Sequence, residues 1–215
     1  LSEDEVLQVI NGSEITREMP PGHINAVFVK DANALLHSDS LSGIQEANKQ
    51  GAFVFWNHPN WDAHRSDGIA RLEPFHNYLI SNKLLHGIEV VNETTFSEEA
   101  LEIALENDLT ILGTSDIHGL TDWAHQIATG GHRPMTFVRV TERTPAAVKK
   151  ALFERKTVVW FNDLIIGKEA EVSKLDKGVQ SRAGGGGAAS PAGATSVCSF
   201  DASASLAALG GGRGG

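Results

Sequence analysis

A single cysteine, Cys198, in 215 residues excludes an internal disulfide and a thiolate metal cage, so any bound metal must be held by His, Asp and Glu. Long apolar runs are missing too: stretches such as Ala52 to Trp56 are a handful of residues, against the roughly 18 that a membrane-spanning helix needs. No block of Lys and Arg occurs, and 18 basic against 27 acidic residues give a formal net charge of −9. A nucleic-acid footprint needs positive charge gathered on one face, so no such partner is expected. The opening Leu1-Ser2-Glu3-Asp4-Glu5 is neither basic nor apolar; no targeting signal can be read and the compartment stays open. No internal repeat is visible. The composition, 41% hydrophobic and 21% charged, is that of a soluble globular chain of about one domain.

Large side chains become scarce after residue 182. Ala183 to Gly215 is mostly Gly, Ala and Ser, with runs at Gly184 to Gly187 and Gly210 to Gly212. Such a segment has too little side-chain volume to offset its ordering entropy, so 183–215 is expected to be a disordered tail. Residues 171–182 would connect it to a domain over 1–170.

Within that domain, short β-rich runs alternate with helical patterns. Strands are expected in a short run after Asn11-Gly12 to Thr16, then Ile24 to Val29, Ala52 to Trp56, Gly87 to Val91, Leu109 to Leu112, Met135 to Val140 and Thr157 to Phe161. Helices are expected from Ser42 to Gln50, Pro74 to Asn82, Ser97 to Asn107 and Thr144 to Arg155. Ser97 is a natural N-cap with Glu98 and Glu99 behind it, and Thr144-Pro145 sets a cap before an N1 proline. The alternation predicts an α/β fold with βα units around a parallel sheet, open or closed into a barrel.

Polar residues fall late in these strand runs or just after them: Glu14, His58-Pro59, Asn92-Glu93, and Asp116 with His118. That end of a parallel sheet is where active sites form. Asp116-Ile117-His118 puts a carboxylate and an imidazole on one face of an extended segment. The small neighbours Thr114, Ser115 and Gly119 leave room for an ion. Pro59 stops the strand before it and holds His58 at the strand end. His23 follows the rigid turn Pro20-Pro21-Gly22. His37, His64, His76, His86, His125 and His132 have no partner at ligand spacing, and His76 and His86 read as structural. His132-Arg133 follows Gly130-Gly131 in a loop that reads first as a turn with incidental charge, with contact to an anionic substrate as the alternative.

Taken in order, Gly-Ser-Glu14-Ile-Thr, Gly-His23-Ile-Asn, Asn-His58-Pro and Ser-Asp116-Ile-His118-Gly resemble the PHP (polymerase and histidinol phosphatase) metal-dependent phosphoesterases, over about Val6 to Ile166. The resemblance implies a distorted (β/α)7 barrel with two or three divalent metals at its mouth. It also implies Glu14 as the bridging carboxylate, His23 and His58 with it on one metal, Asp116 on a second and His118 on a third, with Asp116 and His118 serving catalysis. The family's opening His-x-His is not found among the 13 residues before Glu14. The expectation is therefore a barrel lacking its first strand or two, a partial site holding about one ion, and negligible phosphatase activity for these residues alone. Zinc, manganese and iron all suit such ligands, and the substrate would be a small phosphorylated molecule. His132 and Arg133 would help on its leaving side. The alternatives are a non-catalytic metal-binding or interaction module and, ranked last, a barrel hydrolase acting on C–N bonds.

Overall fold

The computed structural model describes residues 7–175 and the strand at 196–200. Its first sheet contains β1 (Gly12–Ile15), β2 (Ile24–Val27), β3 (Phe53–Trp56), β4 (Gly87–Asn92), β5 (Thr95–Phe96) and β6 (Thr110–Thr114), in the order β1-β2-β3-β4-β5 with β6 also paired to β4. The second has β7 (Met135–Val140), β8 (Thr157–Phe161), β9 (Leu164–Gly167) and β10 (Ser196–Phe200), in the order β10-β7-β8-β9. Between the strands lie α1 (Ser40–Lys49), α2 (Pro74–Ser81), α3 (Glu98–Glu106), the one-turn α4 (Thr121–Ala124) and α5 (Pro145–Phe153). None of the described helices is long and apolar enough to cross a membrane.

Helix starts follow their caps. Ser97 and Thr144 accept the backbone N–H groups of Ala100 and Ala147, as their positions predict. The first helix begins two residues before the expected Ser42 because Asp39 caps it, accepting the Ser42 N–H at 2.7 Å.

The strands run as continuous apolar segments because both faces are covered. In β3, Val54 and Trp56 join Ile24, Ile88, Ile111 and the buried faces of α1 and α3. Phe53 and Phe55 point the other way, to Leu112, Val138, Val140 and the α5 residues Val148, Ala151 and Leu152. All four β3 side chains are fully buried. Hydroxyl groups stitch the two sheets together: Gly113 N–H donates to Thr136 Oγ1 at 2.9 Å, and Thr157 Oγ1 donates to the Ile111 carbonyl at 2.8 Å. A Cβ on Gly113 would sit 2.4 Å from Val159 Cγ1, so only glycine permits this approach.

Two expectations need correction. The described strands do not close into a (β/α)7 barrel. Only β3, β4 and β6 are mutually parallel, whereas β1, β2 and β3 pair antiparallel, as does the whole second sheet. The link from Thr16 to His23 is too short for the crossover of about a dozen residues that parallel pairing requires, and one-turn α4 replaces a full crossover helix. Second, residues 196–200, assigned to a structureless tail, form β10 and pair with β7 from Ser196↔Val140 to Phe200↔Thr136. Ser-Val-Cys-Ser-Phe is a short β-prone run, which the Gly/Ala average of the surrounding segment conceals. The other residues of that expected tail lie outside the described ones.

His76 behaves as its sequence context suggests. It is fully buried, stacks on Trp56 with ring centres 3.9 Å apart, accepts the Glu73 N–H at Nδ1 and faces the Pro21 carbonyl with Nε2 at 2.9 Å.

Candidate metal centre

Three parallel strands end side by side, and each delivers a polar residue at or just beyond its exit: His58 after β3, Glu93 after β4 and Asp116 after β6. β2 runs antiparallel beside β3 with Ile24 opposite Trp56, so His23 at its start arrives at the same end. Glu14 on neighbouring β1 is paired with Asn25. Strand direction thus gathers residues that are far apart in the chain.

The contacts form one continuous path. Glu14 Oε1 lies 3.0 Å from His23 Nδ1, the His23 and His58 rings meet edge-on at 4.8 Å, and His58 Nε2 lies 3.9 Å from Asp116 Oδ2. Asp116 Oδ1 is 4.0 Å from His118 Nδ1. The five residues expected at the site are therefore together. Among the described residues, one set of three or more ligating side chains has its ligand atoms all within 4.8 Å of one another: Glu93, Asp116 and His118. Asp116 and His118 both lie in this group, and Glu14 is hydrogen-bonded to His23 and Thr16.

Glu93 falls at a strand end in the sequence but is not among the expected ligands. The β4 pattern that identifies the exit also identifies Glu93, but an exposed glutamate after an asparagine carries no local mark of its own. His64 has no partner at ligand spacing in the chain, so the sequence alone does not mark it. Turns closed by Trp61 N–H to the His58 carbonyl and His64 N–H to the Trp61 carbonyl fold this segment back, and the His64 ring sits 5.0 Å from that of His23.

Electrostatics favour cation binding. Burial acts to raise the Glu14 pKa, but hydrogen bonds from His23 and Thr16 outweigh it and hold the carboxylate below its usual value. Burial, reinforced by the nearby charge of His23, pushes His58 down, so its ring is neutral near pH 7. Its Nε2 is the nitrogen that faces Asp116, while its Nδ1 is buried without a hydrogen-bond partner. Two carboxylates and an imidazole at this separation are a donor set that fits a hard or borderline divalent ion, for which ligand atoms lie about 2 Å from the metal.

Behind this basin lies Glu89, 1% exposed and pushed up to about 8 by burial despite hydrogen bonds from Thr114, the His58 backbone and Asn92. Backbone strain concentrates at the same place. His58, Glu93 and Asp116 adopt positive φ values of 24°, 49° and 42°, which non-glycine residues rarely hold.

The chain is 42% identical, with a TM-score of 0.77, to a solved two-domain protein from Bacteroides vulgatus ATCC 8482 that contains a predicted PHP-like metal-dependent phosphoesterase. The match covers 80% of this chain and 50% of that one. The chain carries a PHP-like domain. No protein-family model matches it, and neither does any curated protein. In the PHP-like domain the candidate ligands sit at the mouth formed by the three parallel strands, and a cleft of about 420 Å³ opens beside Glu93. Thr94, His125, Gln126, Thr129, His132 and Asn162 are in its wall. His132 stacks on Trp160 at 3.8 Å and points its nitrogens at the Arg133 and Asn162 carbonyls, whereas Arg133 is not in the wall.

Proposed function

We propose that this PHP-like domain binds a divalent cation through Glu93, Asp116 and His118 and belongs to a phosphoester hydrolase, with Glu14, His23 and His58 lining the adjoining position. The observation that carries this reading is the approach of Glu93, Asp116 and His118 to within 4.8 Å, with His58 against Asp116 at 3.9 Å. When bound, such cations supply charge neutralisation at phosphoryl oxygens and a water of lowered pKa. The protein's part is to hold the ligands at fixed strand ends and to keep His58 neutral. It also offers a leaving group the cleft beside Glu93. That wall carries hydroxyl, amide and imidazole groups and no Lys or Arg, which suits an uncharged, hydroxylated leaving group better than a polyanion. His132 belongs to this leaving-group side; Arg133 is not in the wall.

Because the chain spans half the length of the Bacteroides structure, the reaction of the whole protein is part of the proposal. With no His-x-His among the first 13 residues, we expect about one ion per chain and little turnover. Titrating manganese or zinc into the 215-residue chain by calorimetry, then adding a generic aryl phosphate, tests both statements. Binding of about one ion supports the reading, and no binding of either metal removes it. Strong turnover would show that the ligands present suffice for catalysis. Metal binding that stays silent towards every phosphoester, even with His-x-His supplied, would favour a non-catalytic module.

A further inference from the structure

A carboxyl group buried in the middle of a strand is an unfavourable choice unless it is fully hydrogen-bonded, since an apolar residue would fill the same space at no desolvation cost. Glu89 is such a group. Every residue of β4 is buried, and the neighbours of Glu89 are Ile88 and Val90.

Its three partners belong to the three strand exits. Glu89 Oε2 accepts the backbone N–H of His58 at 2.7 Å and the Asn92 side-chain amide at 2.9 Å, and Thr114 Oγ1 lies 2.6 Å from Oε1. His58 is itself a candidate ligand, Asn92 immediately precedes Glu93, and Thr114 stands two residues before Asp116. The β4–β6 register also shifts between Glu89 and Val91, an irregularity of the kind that re-aims side chains next to active sites. The three left-handed residues lie at or just beyond these anchor points, and such conformations persist only where the surroundings over-determine them.

We propose that Glu89 is the positioning residue of the metal centre: it ties the ends of β3, β4 and β6 together and thereby sets how His58, Glu93 and Asp116 face one another. The proposal rests on the metal-binding reading above for its consequence, but not for its geometry.

The test compares Glu89→Gln with Glu89→Leu. Glutamine keeps a carbonyl for the His58 N–H and the Asn92 amide and presents an NH2 group to Thr114 Oγ1. Leucine fills similar space and leaves these groups unpaired. With manganese as the probe in calorimetry on the full chain, Glu89→Gln is expected to bind within about twofold of wild type, and Glu89→Leu about 10- to 100-fold more weakly, the usual cost of losing a group that orients metal ligands. Circular dichroism reports whether Glu89→Leu is folded. If it is not, Thr114→Val, which removes one hydrogen bond at nearly constant volume, takes its place with an expected loss of several-fold. Wild-type affinity in the folded Leu or Val variant overturns the proposal. If wild type itself binds no manganese, the metal-binding reading fails. The positioning role is then read from the backbone amide resonances of His58, Glu93 and Asp116, which should be shared by wild type and Glu89→Gln and displaced together in Glu89→Leu. Unmoved resonances in Glu89→Leu would overturn it on that arm.

Discussion

Asp116→Asn is expected to abolish measurable divalent-cation binding while leaving the fold intact. Asp116 is the shared member of the centre: one carboxylate oxygen faces His58 at 3.9 Å and the other faces His118 at 4.0 Å. The change removes a negative charge at the point where the ligand path meets the Glu93 group, and a neutral amide is a poor ligand for a hard cation. A loss of about 100-fold or more, about 2.7 kcal/mol, follows if the ion sits between these residues. Asparagine tolerates the left-handed backbone at this position at least as well as aspartate, so the melting temperature should hold. Calorimetric titration of manganese beside a thermal melt checks both halves. Affinity equal to wild type would place the cation elsewhere.

Acid should destabilise the domain through His86, some distance from the metal centre in role and contacts. Its Nδ1 accepts the Val54 N–H at 3.0 Å and its ring packs edge-on against Phe153 at 4.7 Å. Burial pushes its pKa down to about 4. An unfolded histidine takes up its proton near pH 6.5, so between that pH and about 4 the unfolded chain binds more protons than the folded one. The stability that His86 contributes is complete above pH 6.5 and is lost as pH falls towards 4, with a ceiling of about 3 kcal/mol. His86→Asn keeps an oxygen to accept from Val54 and cannot titrate. Denaturant melts at pH 7.5 and 4.5 should show a smaller acid loss in the variant than in wild type. Equal losses would assign the acid sensitivity to other groups.

The sequence disclosed local elements better than their assembly. Caps at Ser97 and Thr144 and apolar runs such as Ala52 to Trp56 act over a few residues, so their elements lie close to where pattern alone puts them. Strand direction is a pairing property. Nothing local in Glu14 or Ile24 says that β1, β2 and β3 alternate in direction; βα alternation points only to a parallel sheet, open or closed, and the barrel comes from the family resemblance. The site shows the same division. His58 and Asp116 are marked by their strand exits, so they were legible one by one. Glu93 enters through a distance to Asp116 that no spacing in the chain encodes, and His64 through two successive turns. Glu89 reads as the polar member of an apolar run until its three partners are seen.

The left-handed backbone at the strand exits also bears on how this fold could change. Glu93 is exposed, so trimming its side chain opens no cavity, and its φ of 49° is one that glycine adopts freely. Glu93→Gly should therefore melt at or above the wild-type temperature, by up to about 1 kcal/mol once the greater freedom of glycine in the unfolded chain is set against the relief of strain. The same variant should lose cation affinity. A lineage released from the need for metal would then meet no stability barrier to discarding this ligand, and a glycine or asparagine at this position in a sister protein would mark a domain that kept the scaffold and gave up the chemistry.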